Sequence, residues 1–281
     1  MSLLQSIFLG FVQGISEFLP ISSTAHLTLA GKFMGLIDPQ HPDYWTAYIA
    51  IIQLGTMAAV VIYFFKDLLA MLTSIIADLR KGITASGERW SSESKLAWKI
   101  IIGSIPVGII GLSLKEFIEG KFTKELSTIA GSMIVLALLL LVAEAVGKRK
   151  KTLEQTTMLD SFLIGVAQCF ALIPGASRSG TTITGALFLG INREAAARFS
   201  FLLSIPAVLG SGLLEMYHVR HHIAELGAAN LVAAIIVAGI VGYASIAFLL
   251  KYLKTHTTFL FIWYRLILGS ALWVLIIMGM N

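Results

Sequence analysis

The sequence predicts an all-α integral membrane protein with six spanning helices and two re-entrant helix-loop-helix hairpins in an inverted-topology repeat. Of the 281 residues, 57% are hydrophobic and 13% are charged, whereas a soluble globular chain carries about 25% charged residues. The mean hydropathy is +0.84. Two apolar stretches are also broken in mid-course at similar sequences. The composition excludes a soluble enzyme, a coiled coil and a disordered protein.

Apolar runs long enough to cross a bilayer, which takes about 20 residues, recur along the chain. They cover residues 45–65, 96–113, 125–146, 194–217, 227–250 and 258–279. Six spans and their loops account for the length, so we expect one membrane domain over residues 1–281. The single cysteine, Cys169, excludes a disulfide framework within the chain.

Two further apolar stretches do not look like ordinary spans. Residues 1–36 are interrupted around Pro20, and residues 159–191 are interrupted at Pro174-Gly175. Each half has about 14 residues and, at about 1.5 Å per residue, reaches only the centre of a bilayer. Irregular backbone at that depth is tolerated only where protein or a water-filled cavity covers it. We therefore expect two re-entrant hairpins.

The two broken segments resemble each other. Gly10 and Gln13 are echoed by Gly165 and Gln168, at an offset of 155 residues. The chain therefore divides into a first repeat, 1–146, and a second repeat, 159–281. Corresponding broken segments in two halves of a membrane protein indicate a site at the midplane.

The placement of Lys and Arg predicts that the repeats are inverted. Twelve of them lie in 66–99, 148–151 and 251–254, and four lie at 115, 121, 124 and 220. Basic residues favour the cytoplasmic side, so we expect 66–95, 147–158 and 251–257 in the cytoplasm and both termini outside. The first hairpin then enters from outside and the second from the cytoplasm, and their tips meet inside the membrane.

Opposite charges lie at the two breaks, at Glu17 and Arg178. A charge at bilayer depth costs at least ~2.5–3.5 kcal/mol, which makes each a functional hypothesis by default. Ser22, Ser23 and Ser177 are good N-cap residues for the second half-helices. A helix N-terminus binds phosphate, and an arginine can hold phosphate oxygens with paired hydrogen bonds. The sequence therefore predicts a site for one or two phosphate groups.

The same residues suggest phosphoryl chemistry. A serine hydroxyl needs a neighbouring base to attack phosphorus, and His26 lies one turn from Ser23. Glu17 would orient His26 or activate the attacking group, and Arg178 would stabilise the developing charge. The alternative is a buried structural ion pair of Glu17 with Arg178, with the hydroxyls as interhelical hydrogen bonds.

Residues 13–26, QGISEFLPISSTAH, resemble the first signature of the undecaprenyl-diphosphate phosphatase family of the bacitracin-resistance type. Residues 174–182, PGASRSGTT, resemble its second signature, and residues 52–55 and 199–206 also look like family segments. The resemblance implies removal of the terminal phosphate of undecaprenyl diphosphate in the bacterial plasma membrane, with the active site open to the outer face. This reaction recycles the lipid carrier for cell-wall synthesis and confers bacitracin resistance.

The resemblance also implies roles for single residues. The catalytic positions are Glu17, Ser23, His26 and Arg178, and the substrate phosphate-binding positions are Ser22, Thr24, Ser177, Ser179 and Thr182, with Gln13 beside them. It implies dependence on a divalent cation, Mg²⁺ or Ca²⁺, with Glu17 as the metal residue. Gln13 stands where some members have glutamate, which leaves any such role to Glu17. Whether Ser23 or His26 is the nucleophile stays open.

The expected partners are a polyprenyl diphosphate lipid and membrane lipids, with no nucleic acid, and a homodimer is compatible with the sequence. An inverted-repeat transporter or flippase for an anionic lipid or solute is the alternative function, since broken helices at the midplane are typical of transporters. A scaffold protein with a structural polar core is a third. A nucleophile and a base in one hairpin favour the enzyme. His218, His221 and His222 have metal-ligand spacing, but a solvated outer loop is the simpler interpretation.

Overall fold

The structure, a computed structural model, describes residues 1–38, 42–81, 90–114, 125–219 and 227–279. Every regular element in these ranges is helical. The α-helices are α1 Leu3–Phe18, α2 Ser23–Phe33, α3 Pro42–Tyr63, α4 Phe65–Arg80, α5 Ser92–Ser113, α6 Leu126–Val146, α7 Met158–Cys169, α8 Arg178–Phe188, α9 Arg193–Val219, α10 Ala228–Leu253 and α11 Phe259–Ile277, with a 3-10 turn over Phe170–Leu172. The loops that carry His221, His222 and the four outer-side cations lie outside the described residues.

Five helices are long and apolar enough to cross a membrane, namely α3 (from Tyr44), α5, α6, α10 and α11. The protein is therefore a multi-pass membrane protein. The sixth predicted span, 194–217, lies in α9, which has 27 residues. Arg193, Glu194 and Arg198 lie in its first turns, before its apolar part.

Helix α4 was not among the predicted elements, since residues 66–95 were expected to be a cytoplasmic loop. Its apolar residues recur at helical spacing, as at Leu68, Leu72 and Ile75, and this periodicity is the signal for an amphipathic helix. It has 16 residues and carries Lys66 and Asp67 in its first turn, so it is both short and charged for a span. The predicted first span therefore ends at Tyr63 rather than at residue 65.

The short helices α1 and α7 each pack against a long helix of the other half of the chain. Helix α1 lies on α10, and α7 lies on α5. Gly10 contacts the backbone of α10 at Ala234, and Gly165, its counterpart in the sequence, contacts the backbone of α5 at Gly103. A side chain at either glycine would collide with that backbone. The two halves are thus interlaced, and one face of each short helix is covered by protein.

A buried carboxylate anchors the linker between the two halves. Glu144, at the C-terminal end of α6, is 2% exposed. It accepts hydrogen bonds from Arg149 at 2.7 Å, from the Nε of Arg193 at 2.9 Å and from the hydroxyl of Thr258 at 2.7 Å. The two guanidinium groups of Arg149 and Arg193 compensate the charge of Glu144. This ion cluster lies at the end of the helix bundle.

Candidate active site

The two breaks have the same backbone geometry. Ser22 caps α2 with φ 76° and ψ 96°, and Ser177 caps α8 with φ 71° and ψ 116°. Each hydroxyl accepts a hydrogen bond from the backbone N–H three residues on, at Ala25 and Gly180. A non-glycine residue at positive φ costs on the order of 1 kcal/mol or more and persists only where its surroundings enforce it. Both hairpins therefore hold a strained N-cap at the start of the second half-helix.

The carboxylate of Glu17 joins the two breaks. Glu17 ends α1 and is 6% exposed. Its Oε1 accepts from Arg178 at 2.7 Å and from the amide of Gln53 at 2.9 Å. Its Oε2 accepts from the hydroxyl of Ser23 at 2.7 Å and from the amide of Gln13 at 3.0 Å. The structure thus brings together four of the residues that the sequence singled out.

Ser23 and His26 do not form the predicted nucleophile–base pair in this arrangement. The hydroxyl of Ser23 donates to Glu17, while the Nδ1 of His26 lies 2.7 Å from the carbonyl of Ser22 and its Nε2 lies 2.5 Å from the hydroxyl of Tyr264. Because a carbonyl can only accept, Nδ1 carries the proton of the neutral ring and Nε2 accepts from Tyr264. The base that is in contact with Ser23 is therefore Glu17.

The predicted phosphate-binding residues differ in their surroundings. The hydroxyls of Ser22 and Ser177 cap helices, and that of Ser179 donates to the carbonyl of Leu19 at 3.1 Å, so all three shape the breaks. Thr24 is half-buried in the first turn of α2. Thr182 is fully buried, and its hydroxyl bonds the carbonyl of Arg178 and the hydroxyl of Ser200. Thr182 therefore fastens α8 to α9 and does not face the Glu17 cluster.

Four residues around the breaks were missed as site residues in the sequence. Gln53 and Thr56 come from α3, and the hydroxyl of Thr56 lies 3.4 Å from the amide nitrogen of Gln13. Tyr264 and Arg265 come from α11. Polar residues inside predicted spans were the available signal, since a buried polar group in a membrane needs a partner. The sequence alone could not say which span would reach the breaks.

The donor set offers no ready place for a resident divalent cation. Glu17 is the single carboxylate of the cluster, and a carboxylate has about four lone-pair positions. Four donors fill them. Among the described residues there is no group of three or more His, Cys, Asp or Glu side chains placed to hold a metal. The Oε1 of Gln13 is buried and has no described partner, and one amide oxygen beside a filled carboxylate is too little for a metal site.

Residues 6–271 match the protein family described as "Bacitracin resistance protein BacA". The chain belongs to this family. It is 50% identical to a protein of Syntrophobacter fumaroxidans over 273 residues, which cover 97% of this chain and 96% of that protein. It is 49% identical to a protein of Myxococcus xanthus over 279 residues, 99% of this chain and 91% of the relative. Both relatives are named "Undecaprenyl-diphosphatase".

A third relative, from Chlorobium limicola, has the same name and is 48% identical over 290 residues, with 100% of this chain and 99% of that protein covered. The family match spans both breaks and extends past Arg265 in α11. BacA membership therefore covers every element that contributes to the site, including the residues that were missed in the sequence.

Proposed function

We propose that this chain hydrolyses undecaprenyl diphosphate to undecaprenyl phosphate and inorganic phosphate, and so recycles the lipid carrier for cell-wall synthesis and confers resistance to bacitracin. The observation that carries the proposal is the contact of one carboxylate, Glu17, with both a hydroxyl and a guanidinium, from Ser23 and Arg178. These groups lie at the N-termini of two helices, in a member of a family whose relatives are named for this reaction.

The geometry supports Ser23 as the nucleophile and Glu17 as its base. The Oγ of Ser23 attacks the terminal phosphorus while its proton passes to the Oε2 of Glu17, 2.7 Å away. The bond from that phosphorus to the bridging oxygen breaks, and undecaprenyl phosphate leaves with the electron pair and the proton from Glu17. Water then attacks the phosphoserine, and Glu17 takes the proton of the water and returns it to the departing Oγ.

Arg178 has two roles in this scheme. Before the substrate arrives it is paired with Glu17, which keeps both buried charges compensated. When a diphosphate occupies the site, the guanidinium holds the equatorial oxygens of the transferred phosphoryl group, where negative charge is spread in the transition state. The N-termini of α2 and α8 add backbone N–H groups and positive dipole ends on two sides.

The membrane arrangement is part of the proposal. Helices α3, α5, α6, α9, α10 and α11 cross the inner membrane as six spans, and α1–α2 and α7–α8 form re-entrant hairpins in repeats 1–146 and 159–281. The interlaced packing of Gly10 and Gly165 supports an inverted repeat, and the site opens to the outer face. In a Cys169→Ser background, an impermeant thiol reagent should label Gln40→Cys but not Lys150→Cys in intact cells. The reverse pattern would overturn this orientation.

We propose that any divalent cation binds together with the substrate and not to the substrate-free protein. Because the four acceptor positions of Glu17 are filled, we place no resident ion there and route no step through one. A cation, Mg²⁺ or Ca²⁺, would enter with the substrate, since Mg²⁺ is commonly held by substrate phosphates and one or two carboxylates. Equilibrium dialysis of the substrate-free protein against millimolar Mg²⁺ should then show no stoichiometric binding.

The decisive experiment is phosphate release by purified protein in detergent from a soluble short-chain prenyl diphosphate. Wild type should release one phosphate per substrate, and Ser23→Ala should lose at least about two orders of magnitude of turnover. Ser104→Ala is the matched control, since the hydroxyl of Ser104 bonds only a carbonyl of its own helix among the described contacts. Substrate binding without phosphate release by wild type would contradict the proposal and favour an anion carrier.

A further inference from the structure

The last helix, α11, places a guanidinium between the two breaks. Arg265 is 0% exposed and is the largest fully buried side chain of the described chain. Its Nη1 donates to the carbonyl of Pro20 at 3.3 Å, in the first break. Its Nη2 donates to the carbonyls of Gly175 and Ala176 at 3.2 and 2.9 Å, in the second. Its Nε donates to Met133 of α6 at 3.2 Å. One side chain therefore joins both breaks and a spanning helix.

The charge of Arg265 is not compensated. All of its described hydrogen bonds go to backbone carbonyls, and it forms no ion pair with a described carboxylate. Burial of an unpaired charge costs several kcal/mol. Because Glu17 and Arg178 neutralise each other, the cluster around the breaks carries one net positive charge before any substrate is bound. A bound anion would neutralise this charge and is therefore favoured at the site.

The position of Arg265 also fixes backbone groups of both breaks. Its hydrogen bonds occupy the carbonyls of Pro20, Gly175 and Ala176. Glycine at position 180 leaves room for this approach, since a Cβ there would lie 2.7 Å from the Nη1 of Arg265 and the guanidinium would have to shift. Gly180 also provides the backbone N–H that Ser177 caps. The guanidinium thus packs directly against the N-terminus of α8.

We propose that Arg265 is the positioning residue of the diphosphate site, because it fixes both breaks through their carbonyls and supplies the net positive charge that the bound diphosphate neutralises. This inference rests on the proposed function for the identity of the anion. It assigns a role to α11, from which neither signature segment comes. Lysine could keep the charge but could not reach the carbonyls with a planar fork, and glutamine could keep some hydrogen bonds without the charge.

The experiment compares the affinity of purified wild type, Arg265→Lys and Arg265→Gln for inorganic pyrophosphate, measured by calorimetry. We expect Arg265→Gln to bind pyrophosphate at least about tenfold more weakly, since a buried charge is lost, and Arg265→Lys to fall between the two. Arg193→Lys, a matched change at the Glu144 pair, should bind like wild type. Wild-type affinity in a folded Arg265→Gln protein would overturn the inference.

A second variant covers the case in which Arg265→Gln does not fold. Gly180→Ala leaves every charge in place and pushes a methyl group against the guanidinium, and we expect it to weaken pyrophosphate binding several-fold. Unchanged affinity in Gly180→Ala would contradict the role of Arg265. Pyrophosphate affinity does not require catalysis, so failure of wild type to hydrolyse a prenyl diphosphate would overturn the proposed function alone.

Discussion

The two breaks have the same backbone geometry but different side chains at equivalent positions. At the offset of 155 residues, the cap Ser22 corresponds to Ser177, and the first helical residue, Ser23, corresponds to Arg178. Both caps have positive φ, and both following residues bond the same carboxylate, Glu17, at 2.7 Å. One structural position thus carries a hydroxyl in the first hairpin and a guanidinium in the second.

This difference shows how a repeated element can build an asymmetric site. The backbone of each hairpin provides a helix N-terminus that favours an anion. The side chains differ, since the first hairpin has the hydroxyl of Ser23 and the carboxylate of Glu17, and the second has the guanidinium of Arg178. Glu17 itself has no counterpart, because Leu172 stands at the corresponding position. In the proposed mechanism, the two similar breaks supply the helix N-termini, and the residues that differ between them supply the reacting groups.

The largest expected effect comes from changing the guanidinium of the second break. Arg178→Lys keeps the charge but loses the planar fork that grips two phosphate oxygens. We expect turnover to fall by about two to three orders of magnitude, ~2.7–4 kcal/mol, with a much smaller change in the Michaelis constant, since both helix N-termini and the lipid tail remain. Steady-state kinetics on a soluble prenyl diphosphate would measure both.

The alternative for Arg178 is a purely structural pair with Glu17. Lysine would then largely preserve the pair, and turnover would stay within a few-fold of wild type. That outcome, in a protein folded to the same extent, would remove the catalytic asymmetry between the two breaks and leave them as structural equivalents.

The contact of His26 with Tyr264 gives a smaller expected effect. Tyr264→Phe keeps the ring and removes the hydroxyl that donates to Nε2. A single hydrogen bond is worth about 0.5–1.5 kcal/mol, so turnover should fall about two- to tenfold. In the second hairpin Thr181 stands in place of His26 and bonds the carbonyl of Arg178 within its own helix. The second break therefore has no equivalent contact whose loss would lower turnover.

Tyr243→Phe is the matched control, because Tyr243 lies on α10 and packs against Tyr63 of α3 rather than against the breaks. Equal losses in Tyr243→Phe and Tyr264→Phe would show that the hydroxyl of Tyr264 has no special role. A loss larger than about a hundredfold in Tyr264→Phe alone would instead place Tyr264 among the groups that carry the reaction.

Much of this site could be predicted from the sequence, because its signals are local. Proline and serine at the breaks, and charge inside apolar segments, identified Glu17, Ser23 and Arg178. The sequence left open whether Glu17 orients His26 or activates Ser23, because the contact of Glu17 with Ser23 depends on the turn across Pro20. Arg265 lies far along the chain from both breaks, and only packing of α11 reveals its contacts. Helix α4 was missed because its charge suggested a loop.

The shared backbone predicts equal responses to changes at the two caps. Ser22→Ala and Ser177→Ala each remove a capping hydroxyl and keep a side chain at positive φ, so each should cost about 1 kcal/mol or more. Glycine accepts that φ without strain, so Ser22→Gly and Ser177→Gly should stay within about a few tenths of a kcal/mol of wild type. Thermal unfolding in detergent would compare all four. A cap that tolerates alanine as well as glycine would show that its strain differs from that of the other.

The smallest effect on activity should come from a carboxylate outside both breaks. Asp78, at the end of α4, accepts from the backbone N–H of Ser91 and from the hydroxyls of Ser94 and Ser91, and these bonds lower the pKa of Asp78 below its ordinary value. A group with a lowered folded-state pKa stabilises the fold above its unfolded value of about 3.9, and this contribution is lost as the pH falls through the folded-state pKa. Melting temperatures should therefore drop on acidification below about pH 4 in wild type, and drop less in Asp78→Asn.

Turnover of Asp78→Asn at neutral pH should equal that of wild type, because Asp78 holds the α4–α5 corner and touches neither break. Reduced turnover in a stably folded Asp78→Asn protein would mean that this corner communicates with the site, and the two breaks would then no longer suffice to explain the chemistry.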